Sequence, residues 1–142
     1  YPKVKLVIYG LAASAVLAAQ GIRHEVRAWT PFNEWPQHLR RFDIGIAPLT
    51  TQYDRRRSNL KLIEYGLGHV PFVASNFGDY TNTPVGLIVK DDPKEWYRAI
   101  KYLIDHPEKR LELSKSGYKW AERYLMTARV REYEKLLWPE VY

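Results

Sequence analysis

At 142 residues the chain has room for one domain and one core, and a domain of that size needs no disulfide or metal staple. It is 46% hydrophobic and 27% charged, a globular rather than a disordered balance. Having no cysteine, it excludes disulfide frameworks, zinc–thiolate sites and a cysteine nucleophile. A net charge of +6 and a pI near 9.5 favour acidic partners: phosphorylated small molecules, nucleic acid or anionic lipid head groups. Part of that excess lies in the C-terminal helices, where a solvated helix face also accounts for it.

In chain order, Lys3 to Tyr9 is a short apolar run ending at Gly10, suited to a buried strand. Ala12 to Gln20 is Ala-rich and helical by propensity, with Gly21 as its C-cap. The apolar run there is broken by Ser14 and is too short to cross a bilayer, so the expected location is the cytoplasm. His24 to Trp29 reads as a second strand, and Trp35 to Arg41 as a short helix with Pro36 in its first turn. Asp43 to Leu49 (DIGIAPL) is the clearest buried strand. A helix over Ser58 to Gly68 follows, then strands at Pro71 to Ser75 and Val85 to Val89, with a surface loop at Asn76 to Pro84. After Asp91 the pattern is helical only. Asp92 caps a helix with Pro93 at N1 and Glu95 placed for a capping box. Trp96, Ala99, Ile100, Leu103 and Ile104 recur at helical spacing. Two further helices are expected at Glu108 to about Leu125 and Thr127 to about Trp138. Alternating strands and helices predict an α/β fold, a parallel sheet flanked by helices with a helical C-terminal segment.

Ligands of open α/β sheets bind beyond the carboxyl ends of the strands, at the N-termini of the following helices. The loop Thr50 to Arg57 occupies that place, and it carries Arg55, Arg56 and Arg57, followed by Ser58, Asn59 and Lys61. Cations at a helix N-terminus are unfavourable by a few tenths of a kcal/mol each. With no acidic residue between Arg55 and Lys61, the cluster makes sense if an anion such as a pyrophosphate is supplied from outside. The bland alternative is a solvated basic loop. Helical spacing puts Leu60, Ile63 and Leu67 on a core-facing stripe, and Lys61, Glu64 and Gly68 on one that looks into a cleft. Glu64 is then placed to accept from two ribose hydroxyls, or it is simply the partner of Lys61 in a surface pair.

The run KLVIYG, DIGIAPL, SNLKLIEYGLGHVPFVAS, VGLIV and DDPKEWYRAIKYLIDHPEKRLELSKSGYKWAERYL resembles the C-terminal, donor-binding half of a GT-B glycosyltransferase, in the retaining GT4-like group (glycosyl transferases group 1). The resemblance implies a Rossmann-like half of a GT-B fold over residues 1–142, with a sheet portion over 1–91 and helices over 92–142. It implies transfer, of hexosyltransferase type, from a nucleotide-diphosphate sugar as co-substrate, without a cofactor or metal. Glu64 matches the second Glu of the family's E-x7-E motif, which holds the donor ribose. Arg57, Ser58, Asn59 and Lys61 fall where the diphosphate is cradled, and Gly10 matches the glycine-containing first loop. Lys61 and Arg57 are then the groups that stabilise the departing diphosphate. Two features depart from the family pattern. Arg56 stands where the motif's first Glu belongs, and no Arg/Lys pair follows Gly10, a role that Arg55, Arg56, Arg57 and Lys61 could take over. The chain is also too short to hold the N-terminal acceptor domain, so that domain or a partner chain is an expected partner, and the last helix would expose Tyr133, Leu136, Leu137 and Trp138 without it.

Other signals are absent or bland. No G-x-x-x-x-G-K-[ST], G-x-G-x-x-G or G-x-S-x-G occurs, and His24, His38, His69 and His106 lack metal-ligand spacing. Two alternatives stay open: a non-catalytic nucleotide- or partner-binding module, and a basic nucleic-acid-binding domain, which the absence of a reading helix or RNP-like strand disfavours. A basic, aromatic-rich surface also leaves peripheral membrane contact open.

Overall fold

A computed structural model of the chain describes residues 3–9, 20–21 and 23–137. The chain divides into two compact units, Tyr1–Trp35 and Pro36–Tyr142. The expected Ala12 to Gln20 helix lies, but for Gln20, outside the described residues, as do Gly10 and Trp138.

In the first unit β1 (Leu6–Tyr9) runs parallel to β2 (His24–Arg27), in register from Leu6 opposite His24 to Tyr9 opposite Arg27. The apolar run of β1 predicts a buried strand, yet all four of its residues are only half-buried. Among the described residues each of these strands has one strand neighbour, so polar side chains finish the job at the sheet's end. Glu25 accepts from Arg27 Nε at 2.6 Å and pairs with Lys5, while Arg27 Nη1 donates to the Tyr9 hydroxyl at 3.4 Å.

The second unit opens on α1 (Trp35–Leu39), begun one residue ahead at Trp35, and is built on three parallel strands in the order β3 (Gly45–Ala47), β4 (Phe72–Ser75), β5 (Leu87–Val89). The middle strand is buried throughout, which is why FVAS reads as a continuous apolar run rather than an alternating one. Successive side chains of β4 point to opposite faces. On one face the ring of Tyr65 from α2 (Leu60–Leu67) stacks on Phe72, centroids 6.1 Å apart. On the other, Val73 joins Val89 and Leu103 of α3 (Pro93–Asp105) in a core against which Trp96, Ala99 and Ile100 pack. The helical spacing read in α3 is therefore its buried face. The sheet is parallel and covered by helices, the α/β class expected.

Helix α3 starts as its sequence asks, with the Asp92 carboxylate accepting from Lys94 N at 2.9 Å and Pro93 at the first position. The capping box is only half formed. Glu95 accepts from Lys90 N at 2.9 Å, because Asp92 N is already given to Lys90 O at 2.8 Å. Helix α4 (Pro107–Ala121) packs on α2 through small residues: a Cβ added at Gly66 would stand 2.6 Å from Ala121 Cβ and 2.7 Å from Gly117 O. α2 closes with Val70 N bonded to Tyr65 O at 2.9 Å and His69 at φ 58°, the left-handed position that usually takes glycine. Helix α4 steadies that residue, since Tyr118 stacks on the His69 ring at 4.2 Å and Ser114 Oγ donates to His69 O at 2.9 Å. A 3-10 turn at Glu122–Tyr124 leads to α5 (Met126–Leu137), none of whose residues is buried. Its Tyr133, Leu136 and Leu137 are exposed.

Candidate functional site

Beyond the carboxyl ends of β3 and β4 the chain ends are tied together. Leu49 N donates to the buried Ser75 Oγ at 2.8 Å, so the segment after β3 cannot swing away from β4. Next comes the basic loop, whose shape is set by an acid that sits just before the arginines. The Asp54 carboxylate accepts from Thr50 N at 3.1 Å, Thr51 N at 3.0 Å and Thr51 Oγ1 at 2.8 Å. These donors, with Arg57 at 3.8 Å adding a smaller pull, hold its carboxyl below the usual carboxylate range. A 3-10 turn over Tyr53–Arg56 follows, and Arg57 leaves it in extended conformation.

That turn sends the three arginines in different directions. The Arg55 guanidinium lies over the Phe77 ring, 5.6 Å from its centroid, and Arg56 is exposed. Arg57 lines a cleft of about 410 Å³ together with Ser58, Lys61 and Glu64. Arg55, Arg56 and Asn59 are not part of that lining, and Gly10 lies outside the described residues. Asn59 instead begins α2 through its carbonyl, which accepts from Leu62 N and Ile63 N, while its side chain makes no capping bond.

The stripes of α2 also differ from the periodicity reading. Leu62, Tyr65 and Gly66 are buried, whereas Leu60 is 58% exposed and belongs to the cleft wall. Gly68 packs under Leu39 rather than looking into the cleft. Lys61 and Glu64 do face it, and they are paired at 3.5 Å. The surface pair expected of Lys61 and Glu64 is thus formed at the cleft, and a partly exposed pair of this kind contributes little to stability.

Sequence reasoning missed the apolar and aromatic part of the site. Pro48 and Leu49 continue β3 into the wall, and Tyr80 comes from a 3-10 turn at Gly78–Tyr80 inside the stretch read as a surface loop. The floor is rigid because the Tyr65 hydroxyl donates to Ile46 O at 3.0 Å, and burial pushes that phenol up to about 12. One cleft therefore offers two cations, a carboxylate, hydroxyls and an apolar wall. Such a set recognises a molecule with an anionic part, vicinal hydroxyls and a flat or apolar part. Among the described residues no cluster of His, Asp or Glu is placed to hold a metal ion, and no helix is long and apolar enough to cross a membrane.

The family model of glycosyl transferases group 1 matches residues 1–106, a span that contains every residue lining the cleft. No curated protein matches the chain.

Proposed function

The chain belongs to the family of glycosyl transferases group 1, and from that premise we propose that the cleft beyond β3 binds the nucleotide diphosphate of a sugar donor. Its α/β architecture is that of the Rossmann-like half of a GT-B fold. The observation that carries the proposal is the convergence of Arg57, Lys61 and Glu64 on one cleft at the N-terminus of α2. The diphosphate lies against Arg57, Ser58 and Lys61, where two cations and the positive end of the helix reinforce each other. Glu64, one turn further along, accepts from the ribose hydroxyls, and the wall of Pro48, Leu49 and Leu60 takes the apolar face of the nucleoside.

Charge builds on the diphosphate as the bond to the sugar breaks, so cations fixed at that position stabilise the transition state more than the ground state. Lys61 and Arg57 carry this role, and a hexosyl group passes to an acceptor held by a further domain or partner chain. A second reading, a module that binds the nucleotide without transferring sugar, is favoured by Arg56, an exposed cation where the family motif places its first Glu.

Calorimetric titration of the chain with UDP and GDP tests the proposal. One of them binds, and Lys61→Ala and Glu64→Ala each weaken it about tenfold or more, the effect of losing a hydrogen bond to a charged group. Binding that is indifferent to both substitutions places the nucleotide elsewhere. Slow release of sugar from the matching donor separates the enzyme from the non-catalytic module.

A further inference from the structure

Tyr80 is only 4% exposed, yet it lines the cleft. Its backbone is fixed within the 3-10 turn by a bond from Tyr80 N to Phe77 O at 3.2 Å, and its carbonyl accepts from Thr83 N at 3.0 Å. Among the described residues its hydroxyl makes no hydrogen bond. Tyr65 shows what a structural tyrosine in this core does instead: it is 7% exposed, and its hydroxyl is spent on Ile46 O. Thr83 Oγ1 is fully enclosed without a partner among the described residues, whereas the Tyr80 oxygen is not enclosed and opens on the cleft. A buried tyrosine normally finds a partner for its hydroxyl, so a phenol left open toward a cleft marks a place where a ligand atom completes the bond.

The charges around it indicate which atom. Arg57 is the cation that acts on the Tyr80 phenol, and Asp54 and Glu64 are the anions that act on it. Asp54 is committed to Thr50 and Thr51. Burial holds the phenol above its ordinary range, and the two carboxylates add to that against the opposing pull of Arg57. Tyr80 is therefore a neutral donor at physiological pH. A phenol O–H and a guanidinium are both donors, and an oxygen that accepts from both needs two lone pairs and gains from negative charge.

We infer that Tyr80 is a ligand-binding residue of this cleft, its hydroxyl donating to a phosphate oxygen held beside Arg57. The inference rests on the reading of the cleft as a diphosphate site. It makes the turn at Gly78–Tyr80 the wall opposite α2, so the anion is held from two elements rather than from the helix end alone.

The test is Tyr80→Phe in the whole chain, which removes the oxygen and keeps the buried ring. Wild type and variant are titrated with inorganic pyrophosphate and with whichever of UDP or GDP binds, and both are melted. The expected result is a pyrophosphate affinity at least about tenfold weaker in the variant, as for loss of a hydrogen bond to a charged group. The melting temperature is unchanged or higher, since no protein hydrogen bond is removed. Equal affinity overturns the role of Tyr80 and leaves the cleft reading standing. Weaker nucleotide binding with unchanged pyrophosphate binding overturns the phosphate assignment and moves the hydroxyl to the nucleoside. A lower melting temperature shows the hydroxyl to be structural and overturns the inference as well. A wild-type chain that binds neither pyrophosphate nor nucleotide overturns both.

Discussion

Where α2 meets α4, Gly66 is so close to Gly117 and Ala121 that no added methyl fits, while on the cleft side the same helix leaves Leu60 exposed and Lys61 paired with Glu64 at 3.5 Å. The packed side locates the helix, and the polar side faces the cleft. A helix of eight residues gains little from its own hydrogen bonds and takes most of its stability from packing. Its position is therefore fixed by packing, against α4 on one side and through Tyr65 against β3 and β4 on another, rather than by its polar face. Substitutions on the two sides should separate stability from binding.

The largest expected effect is on the packed side. Gly66→Ala gains up to about 1 kcal/mol of helix propensity, but the methyl would sit 2.7 Å from the Gly117 carbonyl, and backbone cannot step aside as a flexible side chain can. Overpacking of this kind costs about 1–3 kcal/mol, so a net loss of up to about 2 kcal/mol is expected in chemical denaturation. Equal or higher stability of the variant would show that α2 and α4 have room to separate. Lys61→Ala and Glu64→Ala are the converse: the pair is partly exposed, its stability contribution is about 1 kcal/mol or less, and the affinity loss set out above should dominate.

The sequence made one of these sides legible and hid the other. Lys61, Glu64, Arg57 and Ser58 could be placed on a cleft because charge at a helix N-terminus beyond a parallel strand has a physical meaning without knowledge of the packing. The buried stripe was misread as Leu60, Ile63 and Leu67, because Gly66 has no hydrophobic side chain and a close helix crossing leaves no trace in a hydropathy pattern. The stretch Asn76 to Pro84 has turn composition throughout, and nothing local signals that Tyr80 is buried in it. The dispersal of Arg55, Arg56 and Arg57 depends on Asp54 folding the loop back on Thr50 and Thr51, an interaction one residue upstream of the basic run. The element order of the second unit, by contrast, was readable almost throughout. The β4 and β5 runs, the Asp92 cap and the α3 stripe each agree with their neighbours, which is the consistency expected of a chain that folds to one answer.

A smaller effect of opposite sign is expected behind the cleft. Thr83 Oγ1 is enclosed and has no partner among the described residues, so none of them compensates its desolvation. Thr83→Val keeps the shape and removes the oxygen, and the variant should be more stable by about 1 kcal/mol. Together with Tyr80→Phe it divides the two hydroxyls of that loop: loss of the enclosed one should affect melting and not pyrophosphate affinity, and loss of the open one the reverse.

The smallest effect concerns Asp54 and pH. Its carboxyl lies below the ordinary aspartate value of 3.8 because Thr51 and Thr50 donate to the ionised form, with Arg57 contributing less. A depressed pKa in the folded state means that the unfolded chain binds the proton first as pH falls. The stabilisation is thus fully present well above pH 3.8 and is lost as pH drops through the lower, folded value. Asp54→Asn should flatten the stability profile in that acid window and shift little in the profile's shape near neutrality. If the loop's geometry depends on this carboxylate, the same variant at neutral pH should also weaken pyrophosphate binding, because Arg57 would lose the turn that aims it into the cleft. An unchanged affinity in a folded Asp54→Asn protein would mean that Arg57 is positioned by the start of α2 alone, and that the basic loop is shaped independently of the acid that precedes it.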